Sequence, residues 1–199
     1  MEALFAFLIG YLGGSIPFGL LLALAAGKGD IRQIGSGNIG ATNVLRTGSK
    51  WLAVATLLLD FGKGLLAVLL VRSLFGEAAT ALSPIALASL GAVLGHCFPV
   101  WLKFRGGKGV ATNMGVSFGL AWPIGAAYAL TWLLVALAFR ISSLAGMAAV
   151  VAAVVAGAML GFWNFVPVLG VIAVIVIWLH RANISRLLAG TEPRIGSKK

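Results

Sequence analysis

The sequence has few charged side chains, few groups that could bind a metal ion, and a single cysteine. Charged residues make up 10% of its 199 positions and hydrophobic residues 60%. A soluble domain of this size does not need so much apolar surface, so these proportions exclude an ordinary soluble domain. Cys97 alone excludes an internal disulfide and says little about compartment. Two histidines and five carboxylates give little material for a metal site, and we expect none.

Long apolar runs fill most of the chain, and they predict an all-α, polytopic membrane protein with about seven transmembrane helices. The predicted spans are Ala3–Ala26, Trp51–Val71, Ala81–Cys97, Val110–Ala121, Ile124–Phe139, Leu144–Gly161 and Val166–Leu179. We expect Pro17 to kink the first span. The fourth span is too short to cross a bilayer upright unless the loop before it is partly inserted. We treat residues 1–199 as one membrane domain and the first run as a retained helix, because no basic segment precedes it.

Lysine and arginine are distributed unevenly over the predicted loops. One side of the membrane holds Lys28, Arg32, Arg46, Lys50, Lys103, Arg105, Lys108, Arg140, Arg181, Arg186, Arg194, Lys198 and Lys199, and the other holds Arg72, Glu2 and Glu77. By the positive-inside rule, the basic loops and the C-terminus are cytoplasmic and the N-terminus is outside. The asymmetry also favours an odd number of spans.

An uncharged polar stretch, Gly35-Ser36-Gly37-Asn38-Ile39-Gly40-Ala41-Thr42-Asn43, separates the first two spans. Its glycines expose backbone N–H groups among side-chain donors, and such a segment can form a nest that binds an anion. Arg46 follows at a distance suited to closing over a phosphate. The glycine spacing formally matches a dinucleotide-binding fingerprint, but no strand or βαβ unit surrounds it. A membrane loop with ordinary turn residues is the alternative.

A second polar loop, Arg105-Gly106-Gly107-Lys108-Gly109, precedes the short fourth span. Topology alone would place cations there, but the three glycines also let the backbone approach a ligand. Lys108 comes just before a helix, so its ammonium and the first helical N–H groups could share one phosphate. The loop does not match a Walker A sequence.

Both histidines leave two interpretations open. His180 and Asn183 follow the last span three residues apart and face the same way on a continued helix. A histidine at a helix end is equally often an interfacial or capping residue. His96 ends the third span, where a structural role and a ligand role are about equally supported.

Charges and glycines inside the spans are explained most simply by packing. Asp60 and Lys63 lie in the second span, and at i, i+3 they can neutralise each other as a structural pair. The four Gly-x-x-x-Gly patterns, Gly10/Gly14, Gly91/Gly95, Gly115/Gly119 and Gly157/Gly161, predict close helix packing.

Six short motifs occur in order along the chain: Gly14–Gly19, Gly35–Asn43 with Arg46, Asp60–Gly64, Gly95–Pro99, Gly106–Thr112 and His180–Ile184. Together they resemble the bacterial acyl-phosphate:glycerol-3-phosphate acyltransferases, which are integral membrane enzymes. The resemblance covers nearly the whole chain. Each motif is weak by itself, but the ordered set is specific.

The resemblance implies transfer of a fatty acyl group from acyl phosphate to the sn-1 hydroxyl of glycerol 3-phosphate. The products would be lysophosphatidic acid and phosphate, in the first acylation of phospholipid synthesis. It also implies seven helices in the cell (inner) membrane, an active site facing the cytoplasm, contact with membrane lipids, and an upstream enzyme that makes acyl phosphate. No cofactor, metal or nucleic acid is expected.

Two phosphate sites are needed for this chemistry. We assign the acyl-phosphate head to Ser36, Gly37, Asn38, Gly40, Ala41, Thr42 and Asn43. The residues that match the family's glycerol 3-phosphate site are Arg46, Lys108, Ser143, His180 and Asn183. The catalytic candidates are Ser36, Asn38, Arg46, Lys108, His180 and Asn183, with His96, Arg105, Gly106, Gly107 and Gly109 as supporting candidates.

The sequence contains no convincing Ser-His-Asp set and no His-x-x-x-x-Asp motif of the soluble-type glycerolipid acyltransferases. The resemblance suggests substrate-assisted catalysis, in which the acyl phosphate itself accepts the hydroxyl proton. His180 or His96 as general base is the alternative.

Two other functions use some of the same features. A transporter or channel for a small phosphorylated anion would suit the short spans and glycine loops, but it should show two related halves and access from both sides. We find no clear internal repeat, and every polar motif lies on one face. A structural protein that binds anionic lipids would explain the basic loops but not their glycines.

Overall fold

The computed structural model describes residues 1–77, 80 and 82–196, and in these ranges the chain forms helices and no strand. The helices are α1 (Glu2–Gly14), α2 (Phe18–Ala25), α3 (Ala41–Val44), α4 (Lys50–Phe75), α5 (Pro84–Cys97), α6 (Val110–Leu120), α7 (Trp122–Phe139), α8 (Ser142–Met159), α9 (Val166–Leu179) and α10 (Arg181–Leu188). Each predicted apolar run is therefore helical, and the all-α membrane fold is confirmed. The predicted start of the third span, Ala81, and the basic residues Lys198 and Lys199 lie outside the described residues.

Five helical segments of the described chain are long and apolar enough to cross a membrane, and a sixth is added if α9 and α10 count as one span bent by 59°. The segment that falls short of the predicted seven is α6, which has 11 residues. Its brevity was expected from the sequence, because a helix rises only about 1.5 Å per residue against a hydrocarbon core of about 30 Å.

The first span is broken at Pro17, as predicted, so that α1 ends at Gly14 and α2 begins at Phe18. The break frees backbone carbonyls, and side chains from other parts of the chain donate hydrogen bonds to two of them. Lys63 of α4 donates to the carbonyl of Ile16 at 2.8 Å, and the Trp101 indole donates to that of Ser15 at 2.7 Å. The break thus attaches the first span to both α4 and the loop after α5.

Close helix packing explains most of the glycine patterns. A Cβ placed at Gly10, Gly14, Gly91, Gly95 or Gly115 would overlap backbone atoms of a neighbouring helix. The first four of these glycines lie at the α1–α5 contact, where each faces the backbone of the partner helix or of the residue just after it, which confirms close packing there. The fourth pattern behaves differently: Gly161 has φ +82° with open space around it, and it follows the end of α8.

Because successive helices run in alternating directions, the loops that carry the predicted site residues meet at one end of the bundle. That end contains the segment between α2 and α4, the loop between α5 and α6, the start of α8, and the bend between α9 and α10. The opposite end carries the short connections between α6 and α7 and between α8 and α9. The alternation of the predicted spans is therefore what brings the polar motifs together.

Candidate active site

The polar stretch between α2 and α4 folds around the side chain of Asn43, which is only 2% exposed. Its amide nitrogen donates to the carbonyls of Ile31 at 2.7 Å and Asn38 at 2.8 Å. Its amide oxygen accepts the backbone N–H of Ser36 at 3.2 Å. Asn43 was predicted to bind the acyl-phosphate head, but the structure directs its amide into the loop, where it fixes the loop's shape.

Several N–H groups of the predicted nest are used inside the same loop. Gly37 donates to the carbonyl of Ile34 at 3.0 Å, and Gly40 donates to the Asn38 side chain at 2.8 Å. Gly35 and Gly37 have φ of +55° and +69°, a conformation that favours glycine. Part of the predicted nest is therefore hydrogen-bonded within the loop itself, and the exposed Ser36 and the half-buried Asn38 are polar residues near its surface.

Arg46 lies beside this turn, as the sequence predicted. A Cβ at Gly35 would come 2.5 Å from one of its guanidinium nitrogens, so the arginine side chain lies against the Gly35 backbone. Arg46 itself is exposed and belongs to the short 3-10 turn Leu45–Thr47. It is not among the residues that line the cavity described below.

The glycine loop after α5 is anchored to the end of that helix. Gly106 donates its N–H to the carbonyl of Cys97 and Gly107 donates to that of His96, both at 3.0 Å. Gly109 has φ +81° and comes just before α6. The loop therefore needs glycine for its own packing and backbone conformation, a reason that the sequence alone could not separate from ligand access.

Lys108, Ser143 and Asn183 are brought together as the sequence predicted. The Lys108 ammonium donates to the Asn183 amide oxygen. The Asn183 amide nitrogen donates to Glu192 Oε1 at 2.5 Å, and the Ser143 hydroxyl donates to the same oxygen at 2.6 Å. The start of α8 and α10 thus meet at one carboxylate, and the glycine loop joins them through Asn183.

Glu192 and Arg186 belong to this cluster and were not among the predicted site residues. Arg186 Nε donates to Glu192 Oε2 at 2.7 Å, and the Glu192 side chain is 7% exposed. Gly190, with φ +70°, and a hydrogen bond from Thr191 N to Arg186 O turn the chain back over α10. A signal was present, because Glu192 is the only acidic residue after Glu77 and it follows the His180–Ile184 motif closely.

The cluster around Lys108 and Glu192 has a net positive charge. Burial lowers the pKa of Lys108 below its usual range, and the nearby Arg186 and Arg181 add to this while Glu192 opposes it. Burial also works against the Glu192 carboxylate, but hydrogen bonds from Ser143, Asn183 and Arg186 outweigh it and hold its pKa below the usual range. Three cations against one carboxylate leave a site that favours an added anion.

His180 lies at the bend between α9 and α10 and is 3% exposed. Its Nδ1 faces the carbonyl of Val176 at 2.7 Å. A carbonyl accepts only, so Nδ1 carries the proton and Nε2 of the neutral ring is left as an acceptor.

A cavity of about 260 Å³ joins the two polar loops. Its lining includes Asn38 from the turn, Arg105 to Lys108 from the glycine loop, and Trp178 and Arg181 from the end of the last span. A larger surface cleft of about 620 Å³ at the start of α4 contains none of the predicted site residues, so we assign the site to the smaller cavity on chemical grounds.

His96 lies behind this cavity and not in its wall. The residue is 4% exposed and packs against Gly107. The predicted ion pair between Asp60 and Lys63 is present, with 2.8 Å between Nζ and Oδ1. His96 Nδ1 lies 3.6 Å from the same Asp60 oxygen, so the pair has a third member that the sequence did not indicate.

The chain matches known proteins over almost its whole length. The family model of glycerol-3-phosphate acyltransferase matches residues 4–190. The glycerol-3-phosphate acyltransferase of Erythrobacter litoralis is 62% identical over 97% of this chain and 95% of its own, and that of Roseobacter denitrificans is 53% identical over 96% and 93%.

Two solved structures share the fold. The crystal structure of PlsY (YgiH), an integral membrane glycerol 3-phosphate acyltransferase, in its glycerol 3-phosphate form has a TM-score of 0.91 at 40% identity. It is matched over 98% of this chain and 96% of its own. The lysophosphatidic acid form of the same protein has a TM-score of 0.89 at 39% identity.

Proposed function

Because this chain belongs to the glycerol-3-phosphate acyltransferase family, we propose that it transfers a fatty acyl group from acyl phosphate to the sn-1 hydroxyl of glycerol 3-phosphate in the cavity beside Lys108. The chain is a multi-pass membrane acyltransferase that forms lysophosphatidic acid. We further propose that acyl phosphate is the donor, that the site residues have the roles given below, and that the active site faces the cytoplasm. The basic residues gathered at the site end of the bundle support that orientation.

The observation that carries the proposal is the Lys108 ammonium held by Asn183 at the edge of the cavity. Asn183 is itself held by Glu192, so the lysine has a fixed direction before substrate binds. An ammonium has three N–H donors, and only one of them is used by Asn183. The other two are available for phosphate oxygens, and Arg181 in the cavity wall adds positive charge.

The hydroxyl groups of glycerol 3-phosphate need acceptors rather than cations. Ser143 gives its proton to Glu192, so its oxygen is left with acceptor capacity only. His180 likewise uses Nδ1–H on Val176 and keeps Nε2 as an acceptor. We therefore place the phosphate of glycerol 3-phosphate at Lys108 and its hydroxyls toward Ser143 and His180. These two residues are not in the cavity lining itself but adjoin it, since His180 follows Leu179 of the lining and Ser143 shares the Glu192 carboxylate with Asn183.

The acyl-phosphate head is placed at the other side of the cavity, near Ser36 and Asn38. In the reaction, the sn-1 oxygen attacks the acyl carbonyl carbon, the bond from that carbon to the phosphate oxygen breaks, and phosphate leaves. The hydroxyl proton passes to the departing phosphate, so the step balances without a protein base. Orientation and positive charge are then what the protein supplies. The acyl chain remains among the helices, where the lipid product can leave sideways into the bilayer.

Purified protein in detergent, labelled glycerol 3-phosphate and palmitoyl phosphate test the donor and the reaction together. We expect labelled lysophosphatidic acid in the organic extract, and none when palmitoyl-CoA replaces the acyl phosphate. Product with palmitoyl-CoA alone would keep the activity but overturn the donor. Lys108→Ala tests the site, and unchanged turnover would overturn the assignment of the phosphate to Lys108.

A further inference from the structure

The buried charges of α4 have a third partner that a purely structural ion pair does not need. Asp60 and Lys63 are 3% and 4% exposed, and their charges already cancel at 2.8 Å. His96 of α5 nevertheless faces the same Asp60 oxygen at 3.6 Å through Nδ1. That nitrogen has no hydrogen-bond partner within the described chain, and the Asp60 carboxylate is the group that it faces.

The other edge of the His96 ring meets the glycine loop. A Cβ at Gly107 would overlap the imidazole, with Nε2 the nearest atom, so the ring lies directly on the backbone of the loop. The carbonyl of His96 also accepts the N–H of Gly107 at 3.0 Å. Backbone and side chain of one residue therefore hold the position immediately before Lys108.

A carboxylate that faces Nδ1 favours the ring tautomer with its proton there, and it also fixes the direction of the ring. The contacts then form a continuous path from Asp60 through His96 and Gly107 to Lys108. At the other end of these contacts, Lys63 forms the ion pair with Asp60 and also donates to the Ile16 carbonyl at the break of the first span.

We propose that His96, oriented by the intramembrane Asp60, is a positioning residue for Lys108, so that the buried polar group of α4 serves substrate binding and not only helix packing. The proposal rests on the phosphate-binding role of Lys108 proposed above. His96 does not line the cavity, and the Gly107 backbone lies against its ring, so it acts through the loop.

The sharpest test compares two neutral double variants, Asp60→Asn/Lys63→Gln and Asp60→Leu/Lys63→Gln. Both remove the ion pair, both leave a side chain of similar size at position 60, and the shared glutamine still offers a donor to the Ile16 carbonyl. Only the asparagine variant offers an oxygen to His96 Nδ1–H. We expect KM for glycerol 3-phosphate to stay near the wild-type value in the asparagine variant and to rise on the order of 10- to 100-fold in the leucine variant.

If the ion pair only supports packing, the two variants give the same KM, and the proposal is overturned. Thermal unfolding in detergent is measured in parallel, because an apolar replacement of a buried pair is often neutral for stability. Ser89→Ala is the matched control on α5. Ser89 is fully buried and its hydroxyl donates only within its own helix, to Ile85 at 2.8 Å, so its removal should leave KM unchanged.

A second measurement decides the question even if the leucine variant does not fold. The affinity for glycerol 3-phosphate is obtained from the rise of Tm with ligand concentration in His96→Gln, Lys108→Ala and the double variant. If His96 acts through Lys108, its replacement weakens binding in the wild-type background and has no further effect in the Lys108→Ala background. Additive losses would overturn the proposal. Normal binding by Lys108→Ala would instead overturn the assigned role of Lys108, which keeps the two failures distinct.

Discussion

Replacing Glu192 with glutamine tests whether the carboxylate at the centre of the cluster holds the site together. The carboxylate accepts hydrogen bonds from Asn183, Ser143 and Arg186 at 2.5, 2.6 and 2.7 Å. Glutamine keeps one oxygen, but its NH₂ group then meets at least one donor. A hydrogen bond to a charged group contributes about 1.5–3 kcal/mol.

The expected loss of stability in Glu192→Gln depends on how well each of these hydrogen bonds is shielded from water. The bonds from Asn183 and Ser143 are buried with Glu192, whereas the Arg186 side chain is 40% exposed and its ion pair is worth about 1 kcal/mol or less. Glutamine weakens the buried bonds without removing both, so we expect the free energy of unfolding to fall by about 2 kcal/mol. Because Asn183 directs Lys108, KM for glycerol 3-phosphate should rise as well.

The assay is thermal unfolding in detergent across pH, with kinetics at neutral pH. The pKa of Glu192 is lowered from 4.5, so its contribution to stability is fully present above that value and is lost as pH falls through the lower pKa of the folded state. The wild type should therefore lose stability below about pH 4.5 by an amount that the variant lacks. Equal Tm and KM in the two proteins at neutral pH would refute the reasoning.

Three further predictions use other parts of the structure. Because burial lowers the pKa of Lys108 from 10.5, kcat/KM for glycerol 3-phosphate should fall with rising pH before that value is reached. Lys108→Arg should shift this alkaline fall to higher pH, and a fall at the same pH in both proteins would contradict the prediction. Asn43→Asp places an oxygen against the Ile31 and Asn38 carbonyls, so KM for acyl phosphate should rise more than KM for glycerol 3-phosphate. Gly95→Ala would press a methyl onto Tyr11 backbone and should cost about 1–3 kcal/mol in thermal unfolding, whereas Gly170→Ala, which has open space, should be neutral.

The helices could be predicted from the sequence because membrane spans are set by length and apolarity, and both are local properties. Pro17 identified the break of the first span for an equally local reason. The number of full crossings was harder, since α6 has 11 residues and α9 continues into α10 across a bend of 59°. Whether such segments cross the membrane fully depends on how the neighbouring loops are arranged around them, and a local stretch of sequence does not determine that arrangement.

The site was predictable to the extent that its residues stand in motifs at ends of helices. Lys108, Ser143 and Asn183 were grouped by the resemblance to the family, and the alternating spans then bring their segments to one end of the bundle. What the sequence could not show is which polar side chains face the ligand and which support the protein. Asn43 has an amide that could bind a phosphate, yet that amide is hydrogen-bonded to Ile31, Asn38 and Ser36.

Glu192 is the converse case, a supporting residue that the sequence did not identify as part of the site. A carboxylate is the least expected residue in a site for two phosphates, so a search for phosphate ligands passes over it. In the structure it accepts the hydrogen bonds that fix Asn183 and Ser143. The cluster still keeps a net positive charge, because Lys108, Arg181 and Arg186 outnumber this one carboxylate. Asp60 stands in the same relation to His96 behind the glycine loop. Two of the five acidic residues of the chain thus face the groups that position Lys108, which makes the scarcity of carboxylates a guide to the site.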